Sequence, residues 1–519
     1  MSNQTSDNNK RIAKNTLLLY LRLILTMGVG LFTSRVVLNT LGVEDYGVYN
    51  VVGGVVAMFA LFTGSLSAAI SRFLTYELGK GNVHKLNVVF STSVTIQLVL
   101  AIVVSLLAEI GGVWFLNTHM NIPADRMNAA NWVLQFSILT FAINLVSVPY
   151  NAAIIAHEKM SAFAYISILE VILKLVVAYT LYVSPIDKLK TYAFLLALVA
   201  LIIRFVYSIY CSRNFEECHY KFVFDKSLLK QMTGFAGWNL LGSGAYLFNT
   251  QGVNIVTNLY FGVAVNAARG VASQAEGIIR QFVTNFTTAI NPQITKSYAA
   301  GDMNYMYSLV CRGAKFSYFL MFFFAVPFMF ETETIMRLWL KNYPPEAPLF
   351  LRLSMIGTLF DILGNATANA AWATGNVKRY YIVIGGVGCL VFPLSWIAFA
   401  MGIDAYASYI AFAVVYLVLV FLKLYIIKGL IGFPVIEFYK NVFGRIVPVS
   451  ILSFVLPAIV YFNMDNCLLR TFVVIAISGI STAAITYYIG MSKGERSKII
   501  QIAKQKFNRN KHYCPIKVG

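Results

Sequence analysis

Residues 86–114 read LNVVFSTSVTIQLVLAIVVSLLAEIGGVW. This run is apolar over most of its length and contains a single ionisable side chain, Glu109. An α-helix rises 1.5 Å per residue, so about 20 apolar residues cross a hydrocarbon core about 30 Å thick. A strand of a membrane barrel needs only about ten residues of alternating polarity. The stretch therefore predicts a membrane-spanning helix and not a barrel strand.

The same pattern recurs along the whole chain. Its 519 residues are 58% hydrophobic and 12% charged, with a mean hydropathy of +0.69, whereas soluble domains are about 25% charged. Fourteen spans of about 20 residues use about 280 positions, which leaves no room for a large soluble domain. We therefore predict an all-α integral membrane protein with 14 transmembrane helices. The apolar windows lie at residues 16–38, 47–69, 86–114, 129–150, 162–183, 192–212, 233–261, 264–291, 313–331, 348–371, 380–401, 406–428, 446–464 and 471–491.

Positive charge is distributed unevenly among the predicted loops. The chain has 41 Lys and Arg against 22 Asp and Glu, a net charge of +19. Of the 41 cations, 27 fall on one side of the predicted membrane, 6 on the other side and 8 within spans. Cytoplasmic loops carry an excess of Lys and Arg, so both termini are predicted to be cytoplasmic. Most of the excess positive charge then faces anionic lipid headgroups, and no nucleic-acid partner is needed to explain it.

An internal repeat appears at an offset of 220 residues. Leu41-Gly42-Val43 aligns with Phe261-Gly262-Val263, and Gly81-Asn82 aligns with Gly301-Asp302 without a gap. The repeat maps span 1 onto span 7 and span 2 onto span 8. Because six spans separate the copies, the halves share one orientation and form a parallel repeat. We predict two parallel-repeat six-helix lobes, helices 1–6 and 7–12, plus helices 13 and 14, with a substrate path between the lobes.

These assignments divide the chain into six segments. They are a cytoplasmic N-terminal tail at 1–15, an N-lobe at 16–212, a cytoplasmic linker at 213–232, a C-lobe at 233–428, helices 13 and 14 at 429–491, and a basic cytoplasmic tail at 492–519.

Ionisable residues within spans are the main functional signal. A charge at the bilayer centre costs at least about 2.5–3.5 kcal/mol, so it needs a partner, a wet cavity or a function. In span 8, Arg269, Glu276 and Arg280 are spaced by seven and four residues, which places them on one helix face. We predict that this face lines a substrate cavity. A self-satisfied structural face is the alternative, since Glu276 and Arg280 form an i,i+4 pair, but it leaves Arg269 unpaired.

Two further spans carry side chains suited to the same cavity. Arg22 in span 1 shares a face with two threonines, and snorkelling to the cytoplasmic interface is its alternative role. Span 7 holds Gln251, Asn254 and Asn258, whose amides suit sugar hydroxyls. Hydrogen bonding between helices explains these amides equally well.

The remaining intramembrane charges have simpler interpretations. Asp361 in span 10 is a candidate ligand for a coupling ion, although pairing with an arginine is the favoured interpretation. Glu170 and Lys174 in span 5, with Arg204 at a similar depth in span 6, are interpreted as structural pairing. The six cysteines show neither a CxxC pair nor zinc-ligand spacing, so we expect no disulfide and no metal site.

Several short motifs occur in a defined order. Residues 35–49 read RVVLNTLGVEDYGVY, Ser71-Arg72 and Gly79-Lys80-Gly81 follow span 2, Asn291-Pro292 and Gly301-Asp302 follow span 8, and Leu338-Trp339-Leu340 precedes a Pro-rich outer loop. The order and spacing of these motifs resemble those of the polysaccharide (O-antigen type) flippases, a family of the multidrug/oligosaccharidyl-lipid/polysaccharide (MOP) exporter superfamily. The resemblance extends over nearly the whole length of the chain.

This resemblance implies a multi-pass protein of the bacterial inner (cytoplasmic) membrane. The implied function is to move an undecaprenyl-diphosphate-linked oligosaccharide, such as an O-antigen (lipopolysaccharide), capsule or exopolysaccharide repeat unit, to the outer leaflet. Alternating access, a cationic central cavity and an apolar groove near the last two spans are implied as well. Arginines in the cavity suit this substrate, because they bind phosphate in a bidentate way that lysine cannot match.

Two other functions stay open at this point. A MATE-like multidrug or cation antiporter should have an acidic cavity, whereas span 8 has two arginines and one glutamate. A membrane-embedded polysaccharide polymerase or ligase should have a sizeable outer loop with acid and base residues, and the predicted outer loops are short. We therefore expect no enzymatic activity and no cofactor, with a sodium or proton gradient as the candidate source of coupling. The expected partners are the polyprenyl-diphosphate-linked oligosaccharide, membrane lipid and, less directly, enzymes of polysaccharide assembly.

Overall fold

The computed structural model describes residues 2–57, 60–118, 122–123, 125–223, 225–340 and 343–497. These residues are almost entirely helical and include no β-strand, which confirms the predicted all-α membrane fold. A short 3₁₀ helix at Glu216–Cys218 and two π-helical turns at Tyr439–Phe443 and Thr486–Gly490 complete the described elements. The α-helices are α1 (Ser2–Ala57), α2 (Ala60–Lys80), α3 (Val83–Thr118), α4 (Met127–Ala156), α5 (Met160–Val183), α6 (Lys188–Asn214), α7 (Lys226–Ala299), α8 (Met303–Leu340), α9 (Ala347–Leu363), α10 (Asn365–Thr374), α11 (Lys378–Gly388), α12 (Val391–Ala400), α13 (Ala407–Ile431), α14 (Val435–Phe438), α15 (Gly444–Asn463) and α16 (Leu468–Ile485).

Ten segments of the described chain are long and apolar enough to cross a membrane. They are α3, α4, α5, α6, α8, α9 with α10, α11 with α12, α13, α14 with α15, and α16 with its π-turn. The other four predicted spans lie in α1, α2 and α7, which are richer in polar residues. The count of fourteen spans and the cytoplasmic position of both termini stay predictions.

The predicted repeat has a backbone counterpart at two pairs of glycines. Gly42 breaks α1 with φ +82° and ψ 167°, and Gly262 breaks α7 with φ +79° and ψ −175°. Gly81 and Gly301, which end α2 and α7, have φ +70° and +76°. Positive φ is strained for residues with a Cβ, so glycine is suited to all four positions. Glycines aligned at an offset of 220 residues therefore turn the chain in the same way.

Two helices begin earlier than the sequence boundaries suggest. α1 starts at Ser2, within the predicted tail at 1–15. No glycine or proline occurs before Gly28, so nothing in this segment stops the helix from extending towards the N-terminus. α7 starts at Lys226 within the predicted linker, because the Asp225 side chain caps it by accepting the N–H groups of Ser227 and Leu228 at 2.9 and 3.0 Å. Residues 498–519 of the predicted basic tail, and the side chain of Arg35, lie outside the described part of the chain.

The first of two compact units contains residues 1–250, 284–310 and 368–389. It therefore combines the predicted N-lobe with both ends of α7, the end of α10 and α11, and the predicted lobe boundaries stay a prediction. Its core includes Phe90 of α3, which packs edge-on against Tyr150 of α4 with ring centroids 5.1 Å apart.

Arg72 of α2 joins distant parts of the sequence within this unit. Its Nε and Nη2 donate hydrogen bonds to the carbonyl oxygens of Trp372 and Ala373 at 3.2 and 2.9 Å. These carbonyls belong to the last turn of α10, whose C=O groups lack helical partners. A cation there also interacts favourably with the helix dipole. Arg72 thus caps a helix 300 residues away in the sequence.

Glu158 makes a second long-range connection in the same unit. Its carboxylate accepts from Lys296 Nζ at 2.5 Å and from Gln293 Nε2 at 2.6 Å, and its carbonyl accepts from Asn15 Nδ2 at 3.2 Å. Glu158 is buried and has φ +59°. That conformation costs a residue with a side chain about 1–3 kcal/mol, which these contacts offset. The end of α7 is thereby held against α1 and the α4–α5 connection.

The second unit contains residues 251–283, 311–367 and 390–519, and residues 341–342 and 498–519 of it lie outside the described part of the chain. α9 and α13 pack closely within it, and α15 packs on α16. Glu331 of α8 pairs with Arg470 of α16 at 2.8 Å, which joins the last helix to α8. All of the polar side chains predicted on spans 7, 8 and 10 for the cavity fall in this unit.

Candidate functional site

The candidate site lies along one face of α7 between its break at Gly262 and residue 283 of the second unit. Arg269, Glu276 and Arg280 are all partly buried on this helix. Arg269 and Arg280 are eleven residues apart, about 16 Å along the helix axis, and their side chains point in nearly the same direction. The face is therefore long enough to contact two separate groups of one ligand.

Arg269 is held by neutral side chains. Its Nε donates to Asn254 Oδ1 at 2.5 Å, and its Nη1 donates to Ser408 Oγ at 3.0 Å. The guanidinium carbon lies 5.1 Å from the ring centroid of Tyr409. No Asp or Glu of the described residues lies within ion-pair distance of it. Arg269 therefore has defined partners that fix its orientation but do not cancel its charge.

Of the three amide side chains predicted in span 7, one contacts Arg269 and the other two are exposed. Asn254 uses its oxygen for Arg269 and donates from Nδ2 to Gln251 Oε1 at 3.2 Å. Gln251 and Asn258 are both exposed on the same helix. Asn254 thus orients Arg269, and Gln251 extends the polar line by one turn. The role of these three residues in a cavity stays a prediction.

Arg280 lies between two carboxylates. Its Nη1 donates to Glu276 Oε1 at 3.3 Å, and its Nη2 forms a salt bridge with the carboxylate of Asp361 in α9. Thr358, one turn before Asp361, donates to the same Glu276 oxygen at 2.8 Å. The structure therefore places Asp361 beside an arginine, and a role for Asp361 in ion coupling stays a prediction.

Lys423 of α13 is a member of this cluster that the sequence analysis did not single out. It is only 6% exposed, and its Nζ lies 3.8 Å from Asp361 Oδ1. Gly364 makes room for it, because a Cβ added at that glycine would lie 2.5 Å from the lysine Nζ. A lone lysine inside an apolar run of span 12 was the available signal. Ser408 and Tyr409 gave no comparable signal, since such residues are ordinary at the start of a spanning helix.

The charges of the site leave a positive balance. Arg269, Arg280 and Lys423 provide three cations, and Glu276 and Asp361 provide two carboxylates. Both carboxylates have cationic partners, whereas Arg269 has none of the opposite sign among the described residues. The site is therefore better suited to an anionic ligand than to a cationic one.

Arg22 of α1 lies in the first unit. Its Nη1 is 3.5 Å from Ser167 Oγ, and its guanidinium carbon is 4.5 Å from the ring centroid of Phe163. Its Nε is buried without a hydrogen-bond partner. Arg22 is thus packed on α5 with weak polar contacts, and its proposed place in a substrate cavity stays a prediction.

The predicted structural group near α5 and α6 separates into two contacts. Lys174 Nζ pairs with Glu170 Oε1 at 2.6 Å. Arg204 lies instead over the ring of Tyr150, 4.0 Å from its centroid. The five cysteines that the structure describes are free, and its described residues contain no group of three or more His, Cys, Asp or Glu placed to hold a metal.

The fold is that of a multi-pass helical membrane protein and is MATE-like. It is similar to a MATE transporter solved in a bent conformation, with a TM-score of 0.72, 12% identity, and coverage of 83% of this chain and 97% of that one. It is also similar to a MOP superfamily transporter from Pyrococcus furiosus Vc1 (DSM3638), described as having a binding pocket of reverse polarity. That match has a TM-score of 0.64, 14% identity, and coverage of 81% of this chain and 96% of that one. At these identities the likeness defines the fold alone.

The sequence comparison then places the chain in a family. Residues 12–298, more than half of the chain, match the polysaccharide biosynthesis protein family, so the chain belongs to it. The chain is also 20% identical over 286 residues to the uncharacterized membrane protein EpsK of Bacillus subtilis (strain 168). That match covers 54% of this chain and 55% of EpsK, about half the length of each. The predicted resemblance to the polysaccharide flippase family of the MOP superfamily is thereby confirmed.

Proposed function

We propose that the protein is a flippase for an undecaprenyl-diphosphate-linked oligosaccharide, which it moves from the cytoplasmic to the outer leaflet of the bacterial inner membrane by alternating access. Its substrate is then a repeat unit of O-antigen, capsule or exopolysaccharide. Membership of the polysaccharide biosynthesis family and the MATE-like fold support a transporter over an enzyme of the same pathway.

Arg269 is the observation that carries this proposal. A diphosphate needs a fixed cation with free hydrogen-bonding capacity in a place that water reaches only in part. Arg269 is partly buried, is oriented by Asn254 and Ser408, and has no carboxylate partner among the described residues. Its fork of N–H donors suits phosphate oxygens, and the charge-assisted bonds so formed are stronger than neutral ones. Arg269 is therefore our candidate diphosphate ligand.

The neighbouring amides fit the sugar part of the same substrate. Gln251 and Asn258 are exposed and offer both donors and acceptors, as sugar hydroxyls require. Arg280 and Glu276, further along the face, supply the second polar contact region. Arg22 of the first unit is proposed as an additional cavity cation.

Exchange of an organic cation against sodium or protons is the competing function. Its site would need a carboxylate free to bind the cation. Glu276 accepts from Arg280 and Thr358, and Asp361 pairs with Arg280 and Lys423. Both acidic groups of the site are thus already neutralised by the protein, which favours the flippase. Coupling to a sodium or proton gradient is compatible with either function.

The test is transport of a fluorescent undecaprenyl-diphosphate glycolipid in proteoliposomes. We expect the unmodified protein to move the glycolipid, Arg269→Ala to abolish the movement, and Arg269→Lys to restore it only in part. Loss of one bidentate charged contact of about 1.5–3 kcal/mol corresponds to roughly a 10- to 150-fold loss of affinity. Arg213→Ala, at an exposed arginine of α6, is the matched control.

Two results contradict this proposal. One is glycolipid transport that is equal in the unmodified protein and in Arg269→Ala, which removes the assigned ligand. The other is exchange of an organic cation against sodium or protons without any glycolipid movement, which replaces the flippase by the antiporter.

A further inference from the structure

Lys423 differs from the other charges of the site because it is the most deeply buried of them. It lies within the apolar helix α13, is 6% exposed, and approaches the Asp361 oxygen that Arg280 does not bind. At 3.8 Å from that oxygen it is too distant for a hydrogen bond, so its contact with Asp361 is electrostatic. Packing geometry is adapted to it, since the absent side chain of Gly364 leaves the space that its Nζ occupies.

The charge of the neighbouring group explains what this lysine does. Arg280 with Glu276 and Asp361 carries a net charge of −1, because one guanidinium faces two carboxylates. The ammonium of Lys423 brings the four side chains to zero. Arg269, on the same face of α7 about 16 Å along the helix axis from Arg280, then determines the sign of the whole site.

We infer that Lys423 is a specificity-determining residue. It neutralises Asp361 at the carboxylate oxygen that Arg280 does not bind, and it thereby makes the site select an anionic over a cationic ligand. This inference rests on the proposed flippase function and deepens it. Lys423 contacts the ligand neither directly nor through a hydrogen bond. It acts through the electrostatic potential at Arg280 and Arg269, which is weakly screened within the membrane.

The test measures the affinity of purified protein in nanodiscs for two probes at one fixed ionic strength. The anionic probe is the fluorescent undecaprenyl-diphosphate glycolipid, and the cationic probe is tetraphenylphosphonium. We expect Lys423→Gln to weaken glycolipid binding at least about fivefold and to strengthen binding of the cation. We expect Asp361→Asn to do the opposite for both probes, and the double variant to bind both as the unmodified protein does.

A merely structural role for Lys423 gives a different pattern. Lys423→Gln removes one of the two cations beside Asp361, and Asp361→Asn removes the carboxylate that faces the buried Lys423, so both single variants should lose thermal stability. If both also weaken glycolipid binding in proportion to that loss, or if neither changes the affinity for either probe, the inference is wrong. Lys428→Gln removes the same charge from an exposed position on the same helix and should leave both affinities unchanged.

The design separates this inference from the proposed function. If the unmodified protein binds the cation but not the glycolipid, the flippase proposal fails. The opposite shifts of cation affinity in Lys423→Gln and Asp361→Asn still decide whether Lys423 determines the sign of the site.

Discussion

At the scale of single residues, Glu331 and Arg470 show how a charge is accommodated among apolar helices. Glu331 is 2% exposed and accepts from Arg470 Nε at 2.8 Å and from Thr471 Oγ1 at 2.9 Å. Arg470 also lies 4.4 Å from the ring centroid of Tyr461. The sequence alone does not indicate this pair, because contact between α8 and α16 depends on tertiary packing. The pair is structural, and its two charges neutralise each other, whereas Arg269 has no carboxylate partner among the described residues.

Breaking this pair from one side should destabilise the protein strongly. Arg470→Met leaves the Glu331 carboxylate buried and unpaired, for which we expect a loss of about 3–5 kcal/mol. Arg470→Met combined with Glu331→Gln removes both charges and should recover more than half of that loss. The free energy of unfolding in detergent is the measurement. A double variant as unstable as the single one would show that the unpaired Glu331 charge is not the cause of the destabilisation. Arg337→Met, at an exposed arginine of α8, is the control.

Asp187 should make stability depend on pH. It caps α6 and pairs with Arg126 at 2.9 Å. Burial alone raises the pKa of Asp187, but the N–H of Lys190 and the Arg126 guanidinium outweigh burial and hold that pKa below its ordinary value of 3.8. A carboxylate whose pKa is lowered by folding stabilises the folded state above its unfolded pKa. That contribution is lost as the pH falls through the folded pKa.

We therefore expect Asp187→Asn to melt at a lower temperature than the unmodified protein at pH 7, by an amount corresponding to about 1 kcal/mol. Asparagine also caps helices well, so the variant isolates the charge. The difference in melting temperature should shrink as the pH is lowered below about 4. A difference that is independent of pH between 7 and 3 contradicts this assignment.

Residue spacing predicted part of the site and could not predict the rest. Arg269, Glu276 and Arg280 share a face because positions seven and four residues apart repeat the helical period. The contacts of Arg269 with Ser408 and Tyr409 join residues 139 or more positions apart, and nothing local encodes them. Lys423 was visible as a lone charge in an apolar run, but its partner Asp361 became apparent only from the packing of α13 on α9.

At the scale of elements, the two breaks at Gly42 and Gly262 are the clearest result of reading the sequence as a repeat. The alignment pairs these glycines on sequence alone, and both have positive φ with extended ψ. Positions of helix ends were predicted less well. α1 and α8 extend well beyond the apolar windows, because helices continue into polar segments until glycine, proline or a cap stops them.

The backbone angle of Gly262 gives a direct test. A side chain in its conformation, which is essentially restricted to glycine, costs about 1–3 kcal/mol. No atom lies within 4 Å of a Cβ added there, so backbone strain is the sole source of that cost. We expect Gly262→Ala to lower the unfolding free energy by about this amount. Gly277→Ala on the same helix, which also has open space, should be neutral or stabilising by up to about 1 kcal/mol.

Equal stability of Gly262→Ala and Gly277→Ala in thermal melts would show that α7 is not broken at Gly262. Gly42→Ala should behave as Gly262→Ala does if the two positions are equivalent in the repeat.

At the scale of the whole molecule, composition alone was sufficient to predict a multi-pass helical membrane protein, because no soluble fold tolerates so few charges among so many apolar residues. The grouping of the chain into units was not predictable in this way. The ends of α7 and α10 join the first unit through Arg72 and Glu158, whose partners are 135 to 301 residues away. The family match places the chain among polysaccharide biosynthesis proteins. The positive charge of the site is the basis of the proposed diphosphate-linked substrate.

The most direct test of this account compares three substrates in one preparation of proteoliposomes. They are the undecaprenyl-diphosphate glycolipid, the same glycan on an uncharged lipid, and an organic cation. We predict movement of the first substrate only, since the positive site recognises the diphosphate. Equal movement of the charged and uncharged glycolipids, or movement of the cation alone, would contradict the account.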